Sequence, residues 1–434
     1  MIDSSLLLDR TDEVIAALAR KGVPAETVLD AKAALLRRKT VLSEVEQLRA
    51  EMNRRSREAG RLIAAGGPEA EAARQSLTSL KSQLAEQEAV LRDAEKQSRA
   101  LMLVVPNLPS PDAPEGLDET GNVVLRYEGP PADGYNPADY KPHWEIAQGL
   151  GIMDQERAAK LSGSGFSLLY GDGARLMRAL IQFGLDLNRE TYREVFVPHM
   201  VRSQVFEGTG HLPKFADDAY STTLDGLWLI PTGEVPLTGM HQGELFESAE
   251  LPKRYMTYSA CFRREAGSAG KDTRGLQRLH EFHKVELVRV CTPETVQDEF
   301  DALLADAERP LRLLGFPYRV VDLAAGDLTF SSSRIFDLEV YAPGVDRWLE
   351  VSSVGNFTDF QPRRGNIRYR TRTGQTRPPY YLNGSALATP RVWAAILEHG
   401  QREDGLVELP GALVPYLGKK MLEPEPGSPV ASRQ

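Results

Sequence analysis

The residues best equipped for chemistry lie in RYMTYSACFRREAGSAGKDTRGLQRLHEFHKVELVRV, positions 254–290. This segment reads as a strand, a basic loop and a returning strand, with Gly267, Gly270 and Gly275 permitting the reversal. Side chains alternate along a strand, so Arg263 and Glu265 are expected on one face, and Phe282 and Glu286 on one face of the returning strand. A cation, a carboxylate and an aromatic ring on one sheet surface suit a nucleotide: the arginine forks onto phosphate oxygens and the ring supports a base. The second carboxylate is left for another substrate. Each residue also has a plainer reading, Phe282 as core and Arg263 with Glu265 as a cross-strand ion pair.

A second chemical segment is YLNGSALATPRVWAAILEHGQ, positions 381–401, which reads as strand then helix. Asn383 and Ser385 share a strand face by parity. Thr389 is the expected N-cap, Pro390 the first helical residue, and Trp393, Ile396 and Leu397 the apolar face, with Gly400 ending the helix. Arg391 then falls in the first turn, where a cation opposes the helix dipole, an arrangement that makes sense if it faces phosphates.

Two further elements must carry or accompany these residues. Between about residues 26 and 101 the chain is rich in Ala, Leu, Glu, Arg, Lys and Gln, broken once at Gly66, Gly67 and Pro68. Val41, Val45, Leu48 and Met52 before the break, and Leu77, Leu80, Leu84 and Leu91 after it, keep coiled-coil spacing. Two helices of roughly 34 residues, each about 50 Å long, are expected to fold back as an antiparallel arm. The first concentrates Arg37, Arg38, Lys39, Arg49, Arg54, Arg55, Arg57 and Arg61, which could meet phosphates or could be solvated positions balanced by Glu44, Glu46, Glu51 and Glu58.

The prolines of NLPSPDAPEG end the helices and mark a linker over 106–122. Beyond it, strand-like runs at 194–197 and 227–230 alternate with amphipathic stretches such as 174–188, which predicts an α+β body over 123–420. Residues 421–434, ending EPEPGSPVASRQ, are expected to be a disordered tail.

FRREAGSAGKDTRG followed by HEFHKVE resembles the second signature motif of class II aminoacyl-tRNA synthetases, specifically the seryl-tRNA synthetase family of bacterial type. The resemblance runs from the N-terminus to about Lys420. It implies that Arg263, with Arg264 beside it, binds the ATP α-phosphate, that Glu265 helps hold the nucleotide, and that Phe282 stacks on adenine. LIPTGEVPLT is similar to the serine-binding segment, which implies that Thr232, Gly233 and Glu234 receive the substrate ammonium. Strand parity would place Thr232 and Glu234 on one face, where a carboxylate makes a charge-assisted bond to the ammonium. The family more often carries alanine or serine at Gly233, and glycine there adds backbone freedom.

WLEVSSVGNFTDF resembles the strand of metal and ATP contacts, implying roles for Glu350, Val351, Ser352 and Ser353, with Glu350 and Ser353 near Mg²⁺. Their odd spacing lets both reach one ion only if the strand ends or bulges between them. The strand and helix at 381–401 resemble the third class II motif, implying that Arg391 meets the γ-phosphate and that Asn383, Ser385 and Glu286 read serine. A site built around the serine hydroxyl rejects alanine and glycine, and threonine is excluded by size. The helix near Arg178 to Arg189, with YREVFVPHM, resembles the first motif and implies a homodimer.

By the same resemblance residues 1–105 bind tRNA through the arm, with Arg37, Arg38, Arg49, Arg54 and Arg55 as contacts, while Lys271 and Arg274 meet the acceptor end. The implied reaction is ATP-dependent ligation of serine to tRNA(Ser), and to tRNA(Sec) where a host has one. Retention of Arg263, Glu286, Glu350 and Arg391 argues against an inactive RNA-binding paralogue, and the arm argues against a relative that loads a carrier protein.

Bulk properties constrain this reading loosely. A net charge of -9 gives no global attraction to polyanions, so an RNA surface must be a local patch. Cys261 and Cys291 are too few for a disulfide framework or a cysteine-rich zinc site, so no zinc and a reducing, cytoplasmic setting are expected. MIDSSLLLDR does not read as a leader, and no apolar run approaches a membrane span.

Overall fold

The computed structural model describes residues 1–66, 68–266 and 274–424. It divides between Leu108 and Pro109 into two compact units. In the first, short helices at Ser4–Asp9 and Thr11–Ala19 precede two long ones, α1 at Ala25–Ala65 and α2 at Pro68–Leu103. Helix α1 is about 60 Å long at 1.5 Å per residue; it exceeds the expected length because the helical composition continues through Gly60 to Ala65. Gly66 ends it at φ +76, a conformation that favours glycine, and Pro68 opens α2 where no N–H is needed.

Val41, Val45 and Leu91 form the buried seam of the arm, with Leu42 and Leu84 packed against it. Leu80 and Ala94 are buried as well, whereas Leu48, Met52 and Leu77 are only half-buried. Several arm arginines are engaged within the arm: Arg49 donates to Glu88 at 2.8 Å, Arg37 to Gln97 at 3.0 Å, and Arg54 and Arg55 both pair with Glu51.

The second unit is built on an eight-stranded sheet. Its strands are β1 (Val123–Glu128), β2 (Arg193–Glu194), β3 (Lys253–Phe262), β4 (Glu281–Cys291), β5 (Tyr318–Asp322), β6 (Arg334–Ala342), β7 (Arg347–Asn356) and β8 (Tyr380–Ala388). Their order is β1-β5-β6-β7-β8-β4-β3-β2, and every neighbouring pair is antiparallel except β2 with β3. Helices α3 (Gly171–Asn188), α4 (Glu234–Gly239), α5 (Val296–Leu314), α6 (Phe360–Gly365) and α7 (Thr389–Gly400) flank it. The α+β class agrees with the sequence, and the sheet is mainly antiparallel. The run at 227–230 is a strand as expected, Leu227–Leu229, but it lies in a separate two-stranded ribbon with Met200–Arg202.

Alternation along β4 divides the unit into a core and a site. Val285 and Leu287 face the main core, together with Leu180 and Phe183 of α3, Phe300 and Leu303 of α5, and Trp393 and Ile396 of α7. Trp393 satisfies its indole by donating to the Gly173 carbonyl at 3.0 Å, which ties α7 to α3. The even-numbered residues Phe282, Lys284 and Glu286 turn to the other face. Met421–Leu422 pairs with Val407–Glu408, and Leu422 is fully buried, so the expected tail starting at 421 is corrected to a later point; residues 425–434 lie outside the described residues.

Candidate active site

On the face of the sheet opposite the core lies a cavity of about 610 Å³. Its lining includes Phe282, Lys284 and Glu286 from β4, Asn383 and Ser385 from β8, and Glu350, Val351, Ser352 and Ser353 from β7. Arg263, Glu265 and Arg391 complete one end and Thr232 with Glu234 the other. The ladder fixes this grouping, because Glu286 stands opposite Thr257 of β3 on one side and Ser385 of β8 on the other.

At the carboxylate-rich end, Thr232 donates to Glu286 Oε2 at 3.2 Å, Lys284 Nζ donates to Thr232 Oγ1 at 2.9 Å, and Lys284 also pairs directly with Glu286. Both of these contacts to the carboxylate fall on Oε2. Glu234 is buried beside it and accepts from Gln361. Burial first, and then the neighbouring Glu286 carboxylate, push the Glu234 carboxyl up to about 7, against the pull of Gln361, Lys284 and Asn383.

The local backbone at this end differs from the strand expected. Thr232 lies in a turn and Glu234 is the first residue of α4, so helix entry rather than strand parity brings them together. The Glu234 N–H donates to Thr232 Oγ1 at 3.2 Å, and Pro236 lies within the helix's first turn, where its missing N–H costs nothing.

At the cationic end, β3 stops at Phe262, so Arg263 and Glu265 do not share a strand face as expected. Glu265 instead takes φ +52, a turn that reverses the alternation, and accepts from Arg278 at 2.5 Å. The Arg263 guanidinium lies 5.0 Å from the centroid of the Phe282 ring. Arg264 is turned elsewhere: its side chain donates to the Asp217 carbonyl at 3.1 Å, and it is not among the described residues lining the cavity. Arg274 is exposed. Lys271 and the glycines 267 and 270 lie outside the described residues.

Arg391 sits in the first turn of α7 as expected, held by the carbonyls of Gln277 at 3.0 Å and Glu350 at 2.6 Å. The cap differs from the expectation: Ala388 is the N-cap, and Thr389, one residue into the helix, spends its hydroxyl on the His283 carbonyl at 2.9 Å. The ladder between β6 and β7 slips between Glu350 and Ser352. That bulge brings Glu350 and Ser353 to the same cavity, the condition their spacing imposes.

Three functional neighbours escaped sequence reasoning. Lys284 had a usable signal, since it lies midway between Phe282 and Glu286 and must share their face. His211 and Gln361 had none. Thr209 Oγ1 lies 3.2 and 3.3 Å from the Phe206 and Val205 carbonyls and 2.9 Å from His211 Nδ1, which holds the ring in the cavity wall. Burial, then Arg263, Lys284 and Arg364, hold His211 neutral by depressing it to about 3. His280 and His283 bond to the Arg263 carbonyl and the Tyr258 hydroxyl and do not line the cavity.

The class of protein this geometry defines is reached by comparison. The family described as the tRNA synthetase class II core domain (G, H, P, S and T) matches residues 219–400, and the Seryl-tRNA synthetase N-terminal domain matches residues 1–109. The chain is 46% identical to the serine–tRNA ligase of Roseiflexus sp. (strain RS-1) over 96% of this chain and 98% of that one. It is equally similar to that of Gemmatimonas aurantiaca, at 46% over 97% and 100%. The crystal structure of seryl-tRNA synthetase from Pyrococcus horikoshii complexed with ATP superposes with a TM-score of 0.90 at 34% identity, covering 98% of this chain and 100% of that one. This chain belongs to the seryl-tRNA synthetase family of class II aminoacyl-tRNA synthetases.

Proposed function

We propose that the cavity joins serine to ATP and then passes serine to tRNA, and the observation that carries this is the convergence of Arg263, Arg391 and Glu286 on one space. In the first step an oxygen of the serine carboxylate attacks the α-phosphorus of ATP in line, a P–O bond forms, and the bond to the departing pyrophosphate breaks. Arg263 neutralises charge on the α-phosphate and Arg391 on the γ-phosphate, so positioning and electrostatics supply most of the acceleration. Phe282 supports adenine, and Glu265 holds the nucleotide. Thr232 and Glu234 receive the serine ammonium, while Glu286, Asn383 and Ser385 read its hydroxyl. In the second step a terminal ribose hydroxyl of tRNA attacks the adenylate carbonyl and AMP departs.

A magnesium ion fits the residues at the nucleotide end. Asp337 on β6 stands opposite Ser353, and its Oδ1 is buried without a hydrogen-bond partner among the described residues. Burial and then Glu350 push the Asp337 carboxyl well above its usual range, against a hydrogen bond with Ser353, and a cation beside Glu350 would offset the negative charge gathered there. Among the described residues no three His, Cys, Asp or Glu side chains are placed to hold an ion. Glu350 and Ser353 would therefore hold Mg²⁺ together with substrate phosphates and water, and the ion would neutralise phosphate charge.

The arm arginines Arg37, Arg38, Arg49, Arg54 and Arg55 contact tRNA in this reading, with Lys271 and Arg274 near its acceptor end. The protein works as a cytoplasmic homodimer; Phe196, 88% exposed, and Met200, 51% exposed, support a partner surface on YREVFVPHM itself, and a solution mass of 48.0 kDa would refute it. Among the described residues no helix is long and apolar enough to cross a membrane. The reaction is tested by charging purified tRNA with each amino acid in turn: serine alone should be incorporated, and efficient charging with any other would overturn the proposal.

A further inference from the structure

We propose that Gly233 and Thr257 are a matched steric pair that sets how closely the turn bearing Thr232 and Glu234 sits against Glu286, and thereby the fit of serine; this rests on the assignment of that pocket to serine. Gly233 has φ -64 and ψ -18, a conformation open to any L residue, so backbone freedom does not explain a glycine here. Space does. A Cβ on Gly233 would lie 2.6 Å from Thr257 Cγ2, 3.1 Å from Glu286 Cβ and 3.4 Å from Ser259 Oγ, whereas non-bonded carbons rest about 3.5 to 4.0 Å apart.

Thr257 cannot step aside cheaply. It is fully buried, its hydroxyl donates to the Tyr258 carbonyl at 3.2 Å, and a β-branched side chain has few χ1 wells to choose from. It also stands directly opposite Glu286 in the β3–β4 ladder. Its methyl therefore fills the volume that any side chain at 233 would need. The alternative relief is to move the turn. That would draw Thr232 away from Glu286 and Lys284, bonds of 3.2 and 2.9 Å, and would turn Glu234, whose N–H is tied to the same hydroxyl. Gly233 thus gives close approach rather than mobility, and Thr257, behind the pocket, is a positioning residue for serine.

The test measures serine and ATP KM separately in pyrophosphate exchange. Gly233→Ala should raise the serine KM about 10-fold or more, the signature of overpacking, with the ATP KM unchanged. Thr257→Ser removes the methyl and keeps the hydroxyl, so in the Gly233→Ala/Thr257→Ser protein the serine KM should return to within about 3-fold of the unsubstituted chain. If Gly233→Ala alone fails to fold, the double variant carries the test: a folded protein with near-normal serine KM supports the pair, and one that also fails to fold overturns it. An unmoved serine KM in Gly233→Ala, or no recovery in the double variant, overturns the pair and leaves the pocket standing. An unmoved serine KM in Glu286→Ala overturns the pocket assignment and the pair with it.

Discussion

Glu234 gives the site a pH dependence whose sign can be worked out. Its carboxyl is raised from 4.5 to about 7 by burial and by Glu286, so in the native state it holds a proton that the unfolded chain has already released. As pH rises between those values the native fold loses stability from this group, and the carboxylate that a serine ammonium needs is regained. The serine KM should therefore climb as pH falls through about 7 with the ATP KM level, and Glu234→Gln should abolish the climb. A flat serine KM across that range in the unsubstituted protein would count against an ammonium role. Side-chain identities at this end were legible in the sequence, including Thr232, Glu286, Asn383 and Ser385. Of the partners that tune them, Lys284 was legible from its place between Phe282 and Glu286, whereas Gln361 was not, because it arrives from α6.

Where the sequence and the structure part company, the cause is the end of an element. Parity rules apply inside a strand, and β4 and β8 obey them: Phe282 with Glu286, and Asn383 with Ser385, reach the same cavity. Arg263 and Glu265 lie just past β3, and Thr232 and Glu234 straddle a helix entry, so their convergence depends on turn geometry that two-residue spacing does not encode. The bulge in β7 is the instructive case, since the odd separation of Glu350 and Ser353 demanded an irregularity and the ladder supplies one. If that bulge serves to hold Mg²⁺, Glu350→Gln and Ser353→Ala should each raise the Mg²⁺ concentration for half-maximal pyrophosphate exchange by about 10-fold or more. A Mg²⁺ titration superimposable on that of the unsubstituted protein would remove them as ligands.

For the whole molecule, two units with separate packing imply two separable contributions. The arm's heptads were plain in the sequence, since long helices need only local pattern; the order of the eight-stranded sheet was not, because its pairings join distant segments such as β1 with β5. Arg49, Arg54 and Arg55 are paired with Glu88 and Glu51 in exposed ion pairs, which solvent screens and which phosphates can replace. Arg49→Ala/Arg54→Ala/Arg55→Ala should leave serine-dependent exchange intact while raising the tRNA KM by about 10-fold at physiological salt. An unchanged tRNA KM would return those residues to coiled-coil upkeep.

The central claim, that one cavity binds the triphosphate and the serine side by side, is tested most directly by serine-dependent exchange of labelled pyrophosphate into ATP. The unsubstituted protein should exchange with serine and not with alanine, and Arg263→Ala should fall by about 10² to 10³ in kcat. Glu286→Ala should lose serine-dependent exchange while still binding ATP. Normal exchange in either variant would contradict the account.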